Sequence, residues 1–189
     1  YHDANGVPFR SRLIANYSRL NALAANIPWA YNFIYKNKAL TKLANSVVGF
    51  APERSMPLLY KTTLRKYYKK NKRKNFGVGD FENRYGKVYL FCDEFTNFND
   101  TEIGIKSLKL LHFLGYKAII LDHEESGRAA ISKGILDRAR SLAIQNVQTF
   151  SAVVSKDSPL IGIEPSALLS FRDEYPRLVS ADLVEDAKK

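Results

Sequence analysis

Acidic and polar side chains follow each of three apolar segments that have the length and composition of β-strands. Cys92-Asp93-Glu94 follows the first segment, residues 122–128 follow the second, and Glu164-Pro165-Ser166 follows the third. The carboxyl ends of parallel strands meet at one edge of a sheet, where α/β proteins bind ligands, so these side chains are expected around one cleft. The candidate cleft residues are Asp93, His123, Glu124, Arg128, Glu164 and Ser166.

Two kinds of chemistry fit this acidic set. A hard cation such as Mg²⁺, Ca²⁺ or Mn²⁺ would take oxygen ligands, and the available ones are Asp93, Glu94, Glu125 and Glu164. The favoured interpretation is that His123 and Arg128 pair with the carboxylates and hold the loops in a hydrogen-bonded network, because buried carboxylates need compensating donors. The set contains no nucleophile–base pair, so no catalytic residue is predicted. Because the hydrogen-bonded network is favoured over the cation, no metal site is predicted either.

Cys92 is the one cysteine among the 189 residues. A single thiol cannot build a disulfide framework and cannot alone hold zinc or an iron–sulfur cluster. At the end of a strand it is expected to be a buried apolar side chain. The first residues are polar and no apolar run approaches the roughly 18–20 residues that span a bilayer, so a cytoplasmic protein without a transmembrane segment is expected.

The second half of the chain alternates apolar strands with helical segments. Strands are predicted over residues 88–91, 118–121 and 160–163, and a long helical stretch over 129–153 contains Gly134, which is expected to bend or break it. This order predicts an α/β fold with a small open parallel sheet of about three to four strands and flanking helices. The domain is assigned to residues 87–180, followed by a tail over 181–189.

The first half has a different character. Residues 1–60 are predicted to form short helices whose apolar faces pack on a neighbouring domain, and residues 61–86 are interpreted as a basic linker. Residues 1–86 contain 16 Lys and Arg against 4 Asp and Glu, whereas residues 87–189 contain 13 against 15. The net charge of +10 therefore belongs to the first half. This asymmetry predicts two segments with different roles.

The basic run over residues 61–74 leaves a nucleic-acid-binding alternative open. Lysines interleaved with Tyr67 and Tyr68 could contact phosphates while the rings stack on bases. A solvated basic helix is favoured instead, because the domain that follows is slightly acidic and shows no nucleic-acid motif. No specific nucleic-acid partner is therefore expected.

Several short stretches occur in one order within a region that is roughly half of the chain: residues 95–99, 108–116, 125–128, 132–134, 143–147, Pro165-Ser166 and 171–176. Together they resemble one repeat of the cysteine-rich CCG domain. That domain occurs in heterodisulfide reductase subunits, in the iron–sulfur subunit of anaerobic glycerol-3-phosphate dehydrogenase, and in lactate and glycolate oxidase assemblies. The resemblance implies the same α/β fold.

The departures from this family fall on its cluster ligands. The first cysteine of the family corresponds to Glu94, its Cys-Cys-Gly corresponds to Glu125-Ser126-Gly127, and its cysteine after Pro-Ser corresponds to Ala167. Iron–sulfur clusters are held by thiolates. The resemblance therefore implies a domain that keeps the fold without a cluster or any other cofactor of its own.

The N-terminal segment also resembles the family. Residues 1–12 and Arg54-Ser-Met-Pro57 are similar to the connection between a ferredoxin-like domain and the CCG domain in long flavin-linked oxidases. The resemblance implies a C-terminal piece of a D-lactate- or glycolate-type 2-hydroxy-acid dehydrogenase, with FAD and iron–sulfur clusters in upstream domains and a possible second CCG repeat. The alternatives are the nucleic-acid-binding protein and a small-molecule- or cation-binding α/β domain.

Overall fold

The computed structural model describes residues 2–77 and 84–188. Residues 78–83 of the predicted linker, together with Tyr1 and Lys189, lie outside the described residues. The helices are α1 (His2–Asn5), α2 (Phe9–Ala15), α3 (Tyr17–Ala24), α4 (Pro28–Lys36), α5 (Lys38–Val48), α6 (Leu64–Asn71), α7 (Glu94–Phe98), α8 (Thr101–Phe113), α9 (Arg128–Ser132), α10 (Leu136–Ser151), α11 (Pro165–Asp173), α12 (Tyr175–Leu178) and α13 (Val184–Lys188). The strands are β1 (Lys87–Phe91), β2 (Lys117–Ile119) and β3 (Leu160–Gly162), and two 3-10 segments cover Lys72–Gly77 and Ala181–Leu183.

The three strands form one parallel sheet in the order β2-β1-β3. Val88 of β1 is paired with Ala118 of β2, and Leu90 of β1 is paired with Ile161 of β3. Helices α7 and α8 connect β1 to β2, and helices α9 and α10 connect β2 to β3. Parallel strands need crossover connections of this kind. The predicted fold class is confirmed: a small open parallel sheet has flanking helices and follows an α-helical segment.

The central strand β1 is buried on both faces. Its residues alternate, so that Val88, Leu90 and Cys92 pack in one cluster while Tyr89 and Phe91 pack in another. The first cluster receives side chains from α6 and α8, and the second receives them from α10 and α11. The continuous apolar run of β1 therefore reflects a strand that is covered by helices on both sides.

Helix α6 corrects the interpretation of residues 61–86 as a linker. Leu64 is fully buried, Tyr68 is 8% exposed, and both pack against β1 together with Phe76. Lys66, Lys69 and Lys70 lie on the exposed side of the same helix. Spacing of four residues places Leu64 and Tyr68 on one face, and the surrounding lysines obscured that face in the sequence.

The same packing removes the aromatic part of the nucleic-acid alternative. The Tyr68 ring lies 5.9 Å from the Phe76 ring, and the Tyr67 ring lies 6.4 Å from it. Tyr68 is buried and Tyr67 is half-buried against the same cluster. Base stacking needs an exposed ring face, so Tyr67 and Tyr68 do not supply the stacking rings that the nucleic-acid alternative required.

Part of the N-terminal segment packs on the α/β domain. Ala15 of α2 is buried against Ala130 and Ala139, where small side chains allow the helices to approach closely. The Tyr17 hydroxyl of α3 donates a hydrogen bond to Asn99 Oδ1 at 2.9 Å. Helices α2 and α3 are therefore anchored on the α/β domain of the same chain.

The structure also bears on two other predicted segments, the helical stretch over 129–153 and the tail over 181–189. The helical stretch over 129–153 is broken as expected, because Gly134 adopts a φ of 68° between α9 and α10. The segment predicted as a tail contains α13, whose Ala187 is buried against Ala143, Val147 and Tyr175. The described part of residues 181–189 therefore packs on the domain through Ala187 and the half-buried Leu183.

Within residues 2–77 and 84–188, none of the helices combines the length and the apolar composition needed to cross a membrane.

Candidate functional site

A cleft of about 430 Å³ lies at the carboxyl ends of β1 and β2. The loops after these two strands supply part of its lining, and α3 and α6 supply much of the rest. Of the candidate cleft residues, His123 and Glu124 line it, whereas Asp93, Arg128, Glu164 and Ser166 do not. Glu94 and Glu125 of the same two loops also line it, as do Arg19, Arg65 and Lys66, which the sequence did not indicate. The predicted convergence is therefore observed for the first two loops.

Glu94 and Ser126 are in direct contact at the positions where the related domains carry cysteines. The Glu94 carboxylate accepts a hydrogen bond from the Ser126 hydroxyl at 2.7 Å and another from the Ser126 backbone N–H at 3.1 Å. Glu94 is 3% exposed and Ser126 is fully buried. Burial raises the pKa of Glu94, and the two hydrogen bonds from Ser126 partly oppose that rise.

Asp93 has a structural role at the start of α7. One of its carboxylate oxygens accepts hydrogen bonds from the backbone N–H groups of Phe95 and Thr96, both at 2.9 Å. These contacts satisfy N–H groups that a helix start would otherwise leave unpaired. Burial raises the pKa of Asp93, and hydrogen bonds from Thr96 and Phe95 act against this rise.

The His123 imidazole is held between backbone groups and does not pair with an acid. Its Nε2 accepts a hydrogen bond from the Cys92 N–H at 3.1 Å, so its Nδ1 carries the proton and donates to the Glu124 carbonyl at 2.6 Å. The ring stacks on Phe91 with centroids 4.4 Å apart. Burial, assisted by the positive charge of Arg65, lowers the pKa of His123 to about 3.

Arg65 connects α6 to the loop after β2. Its guanidinium donates to the carbonyl of His123 at 2.7 Å and approaches Asp122 Oδ1 at 3.4 Å. Sequence reasoning missed this residue because Arg65 lies in the basic run. Its neighbour Thr63 caps α6 by accepting from the Lys66 N–H, and that capping residue was the available signal for a helix starting there.

The arginine that compensates the cleft acids is Arg138, which corrects the predicted role of Arg128. Arg138 forms an ion pair with Glu125, and both side chains are largely buried, at 16% and 9% exposure. Arg138 also donates to Asn16 Oδ1 at 2.8 Å. Arg128 instead pairs with Glu174, outside the predicted set, and those side chains are 37% and 32% exposed.

Asn146 and Tyr175 hold the backbone of the loop after β2, and neither was predicted. Asn146 Nδ2 donates to the Glu125 carbonyl at 2.9 Å, and its Oδ1 accepts from the Glu124 N–H at 3.0 Å. The Tyr175 hydroxyl donates to the Ser126 carbonyl at 2.8 Å and accepts from Asn146. Both side chains are fully buried. An asparagine on the apolar face of α10 was the signal that could have indicated this contact.

The two arginines should differ in their effect on stability. We expect Arg138→Ala to lower the free energy of unfolding by about 2–4 kcal/mol, because Glu125 would be left as a buried, unpaired carboxylate. Arg128→Ala is the matched control, and we expect it to cost less than about 1 kcal/mol because its pair is partly solvated. Urea denaturation of both variants measures the difference. Equal losses would contradict this assignment.

The loop after β3 makes its own local contacts. Glu164 caps α11, since its Oε2 accepts from the Ala167 N–H at 2.6 Å and from the Ser166 hydroxyl at 2.7 Å. Ala167 is buried in the cluster that contains Tyr89 and Phe91. The third cysteine position of the family is therefore occupied by a methyl group packed in the core.

The predicted cation ligands are engaged separately. Thr96 donates to Asp93, Ser126 donates to Glu94, Arg138 pairs with Glu125, and Ala167 donates to Glu164. In the part of the chain that the structure describes, no three His, Cys, Asp or Glu side chains form a group that could hold a metal ion. The hard-cation interpretation is therefore not supported.

The residues at the cluster positions do not fit an iron–sulfur cluster. Such clusters require thiolate ligands, and these positions carry a carboxylate, a carboxylate in an ion pair, a hydroxyl and a methyl group. Cys92 is 2% exposed, and burial raises the pKa of its thiol to about 12. Gly127, the glycine of the family motif, remains, with a φ of 71° and with Leu142 Cδ1 3.4 Å from where a Cβ would lie.

Comparison with known proteins finds relatives that are named as dehydrogenases or as a dehydrogenase subunit. The chain is 27% identical over 184 residues to a D-2-hydroxyglutarate dehydrogenase of Pantoea ananatis, and 24% identical over 180 residues to that of Escherichia coli. These alignments cover 95% and 93% of the chain but 18% and 17% of the two relatives. The chain is also 27% identical over 147 residues to one subunit of the anaerobic glycerol-3-phosphate dehydrogenase of Escherichia coli, covering 77% of the chain and 36% of that protein.

These relatives confirm the resemblance found in the sequence, and the chain spans less than a fifth of the length of the first two. No family model matches the chain, and no solved structure is significantly similar to it.

Proposed function

We propose, from the kinship of this chain with these dehydrogenases, that it is a CCG-type domain of a flavin-linked oxidoreductase and works without an iron–sulfur cluster of its own. The observation that carries the proposal is the Glu94–Ser126 contact, which joins two family cluster positions through hydrogen bonds that need no metal. The domain keeps the sheet that positions these loops. Its role is structural, next to the domains that transfer electrons.

We infer the reaction of the whole assembly from the names of the relatives and from the family resemblance. D-2-Hydroxyglutarate dehydrogenase is the name of the first relatives, and the family resemblance implies lactate or glycolate as further substrate types. A 2-hydroxy acid would be oxidised to the 2-oxo acid while FAD, held outside this chain, would take up the two electrons and two protons that are released. The iron–sulfur clusters of other domains would carry these electrons onward. This chain supplies no group to that reaction.

The proposal is tested on the natural assembly, isolated under anaerobic conditions through an affinity tag on this chain. We expect the flavin absorbance of the assembly to bleach when D-2-hydroxyglutarate, D-lactate or glycolate is added, because reduction removes the visible bands of the oxidised flavin. The isolated 189-residue chain should show neither flavin absorbance nor bleaching. An assembly that contains no flavin would contradict the proposal.

A further inference from the structure

Helices α4 and α5 expose large apolar side chains to solvent. On α4, Trp29 is 75% exposed and Phe33 is 65% exposed, and on α5, Leu43 is 65% exposed and Val47 is 74% exposed. Each pair is spaced by four residues and therefore lies on one side of its helix. We refer to these four side chains together as the α4–α5 surface.

The most deeply buried side chains of α5 are polar, and α4 makes polar contacts on its inner side. Asn45 of α5 is fully buried and donates to the Arg54 carbonyl at 2.8 Å, and Thr41 is 8% exposed. Asn32 of α4 donates to the Leu59 carbonyl at 2.7 Å and accepts from the Leu59 N–H. A solvated helix normally buries its apolar side, so this reversed arrangement indicates that the apolar side is covered by another surface.

A groove lies beside α4 and has a mixed character. It has a volume of about 460 Å³, and its lining includes Trp29, Phe33, Lys36 and Lys61. Both lysines are exposed. The lining combines aromatic rings, which bury well, with ammonium groups that attract carboxylates. The groove is therefore suited to a ligand that is apolar and acidic.

The charge around this surface is mainly positive, although Glu53 pairs with Lys42 of α5. Residues 4–52 contain six Lys and Arg and no Asp or Glu. A partner must therefore supply the opposite charge if the rim is to be neutralised on binding. A second copy of this chain that used the same surface would place lysines against lysines, so the charge pattern disfavours a symmetric dimer through α4 and α5.

We propose that the α4–α5 surface and its groove bind a protein surface that is apolar at its centre and acidic at its rim, belonging to another part of the same oxidoreductase. This inference rests on the proposed function. The relatives contain enough further sequence to form such a partner, because more than four-fifths of the length of the D-2-hydroxyglutarate dehydrogenases lies outside the matched stretch. The lysines select the partner, and Trp29 and Phe33 supply the buried apolar area.

The test is zero-length cross-linking of the tagged natural assembly with a water-soluble carbodiimide, which joins an ammonium group only to a carboxylate in contact with it. We expect Lys36 or Lys61 to be linked to Asp or Glu residues that lie outside this 189-residue sequence. The double variant Lys36→Glu, Lys61→Glu should weaken the association by at least about tenfold, because it places like charges together. The matched control is Lys87→Glu, Lys156→Glu, which changes two exposed lysines away from α4 and α5 and should leave association unchanged.

Trp29, the one tryptophan of the chain, gives an independent readout. Its emission should be that of a solvated indole in the isolated chain, and it should stay so when vesicles of phosphatidylserine and phosphatidylcholine are added. A blue shift with co-sedimentation on these vesicles would overturn the proposal in favour of a membrane surface. Cross-links between two copies of the chain, or cross-links only from other lysines, would also overturn it.

The two proposals fail separately. A flavin-containing assembly without links from Lys36 or Lys61 would overturn the docking surface and leave the proposed function intact. Links from these lysines to an acidic protein in an assembly without flavin would support the docking surface and contradict the proposed function. Circular dichroism of each variant verifies that the fold is unchanged.

Discussion

Acidification from pH 7 to pH 4 should destabilise the folded chain by about 3 kcal/mol through the single imidazole of His123. The pKa of this group falls from 6.5 to about 3 on folding, chiefly because the ring is buried. Protonation would place a second N–H at Nε2, which already faces the Cys92 N–H. Because the unfolded chain binds this proton more readily, the stability is complete above pH 6.5 and is lost as the pH falls towards 3.

Urea denaturation between pH 4 and pH 7 measures this effect when the parent is compared with His123→Gln. The variant cannot titrate at this position, so its stability should change less with pH, although it is less stable than the parent at pH 7.

Asp93 and Glu94 act in the opposite direction. Burial raises the pKa of both, so their contribution is fully present at low pH and is lost as the pH rises through the raised values. They remain in both proteins, so the comparison of the parent with His123→Gln isolates the imidazole. Equal pH slopes in the two proteins would show that His123 is not held neutral as described.

Leu64→Ala should lower the free energy of unfolding by about 2–5 kcal/mol. Leu64 lies on α6 and is fully buried in the cluster that contains β1. It also packs tightly on α8, because a Cβ added to Gly104 would lie only 2.5 Å and 3.1 Å from the two Leu64 methyl groups. Truncation of so closely packed a side chain leaves a cavity that rigid neighbours fill poorly. Chemical denaturation monitored by circular dichroism gives the value.

Leu43→Ala is the matched control, because it is the same substitution on a helix of the basic half of the chain. Leu43 is 65% exposed, so its loss should cost less than about 0.5 kcal/mol in the isolated chain. Similar small losses for both variants would mean that α6 is not part of the core. Residues 61–77 would then be a linker, as the sequence predicted.

The α/β part could be predicted because its local signals agree. Each strand is a short apolar run, and Gly134 separates two helices by a conformation that other residues rarely adopt. The polar strand ends correctly indicated the edge of the sheet where the cleft lies, with Glu94 and His123 in its lining. These inferences depend on residues that are close together in the sequence, so one amino-acid sequence is enough to make them.

The partners of the site residues depend on residues distant in sequence, so they could not be predicted. Arg128 and Arg138 are the same residue type and lie on successive helices, but it is Arg138 that contacts both Asn16, 122 positions away, and Glu125. Tyr175 reaches the loop at Ser126 across 49 positions of sequence. No spacing rule links such residues.

The basic half misled the sequence reasoning for a different reason. A high density of lysine predicts a solvated segment, yet Leu64 and Tyr68 are enough to fix α6 on the sheet. Helix α5 shows the reverse, because polar Asn45 is inside while Val47 is outside. Patterning rules assume that a helix meets water on its polar side, and a helix that binds a second surface need not follow them.

Anaerobic reconstitution of the isolated chain with ferrous iron and sulfide tests the central claim most directly. Cys92 is buried and protonated at neutral pH, and Glu94, Ser126 and Ala167 offer no thiolate, so the desalted protein should retain no acid-labile sulfide and no visible absorbance. The variant Cys92→Ser should give the same result. A brown protein with stoichiometric iron and sulfide would contradict the account of a CCG-type domain that has lost its cluster.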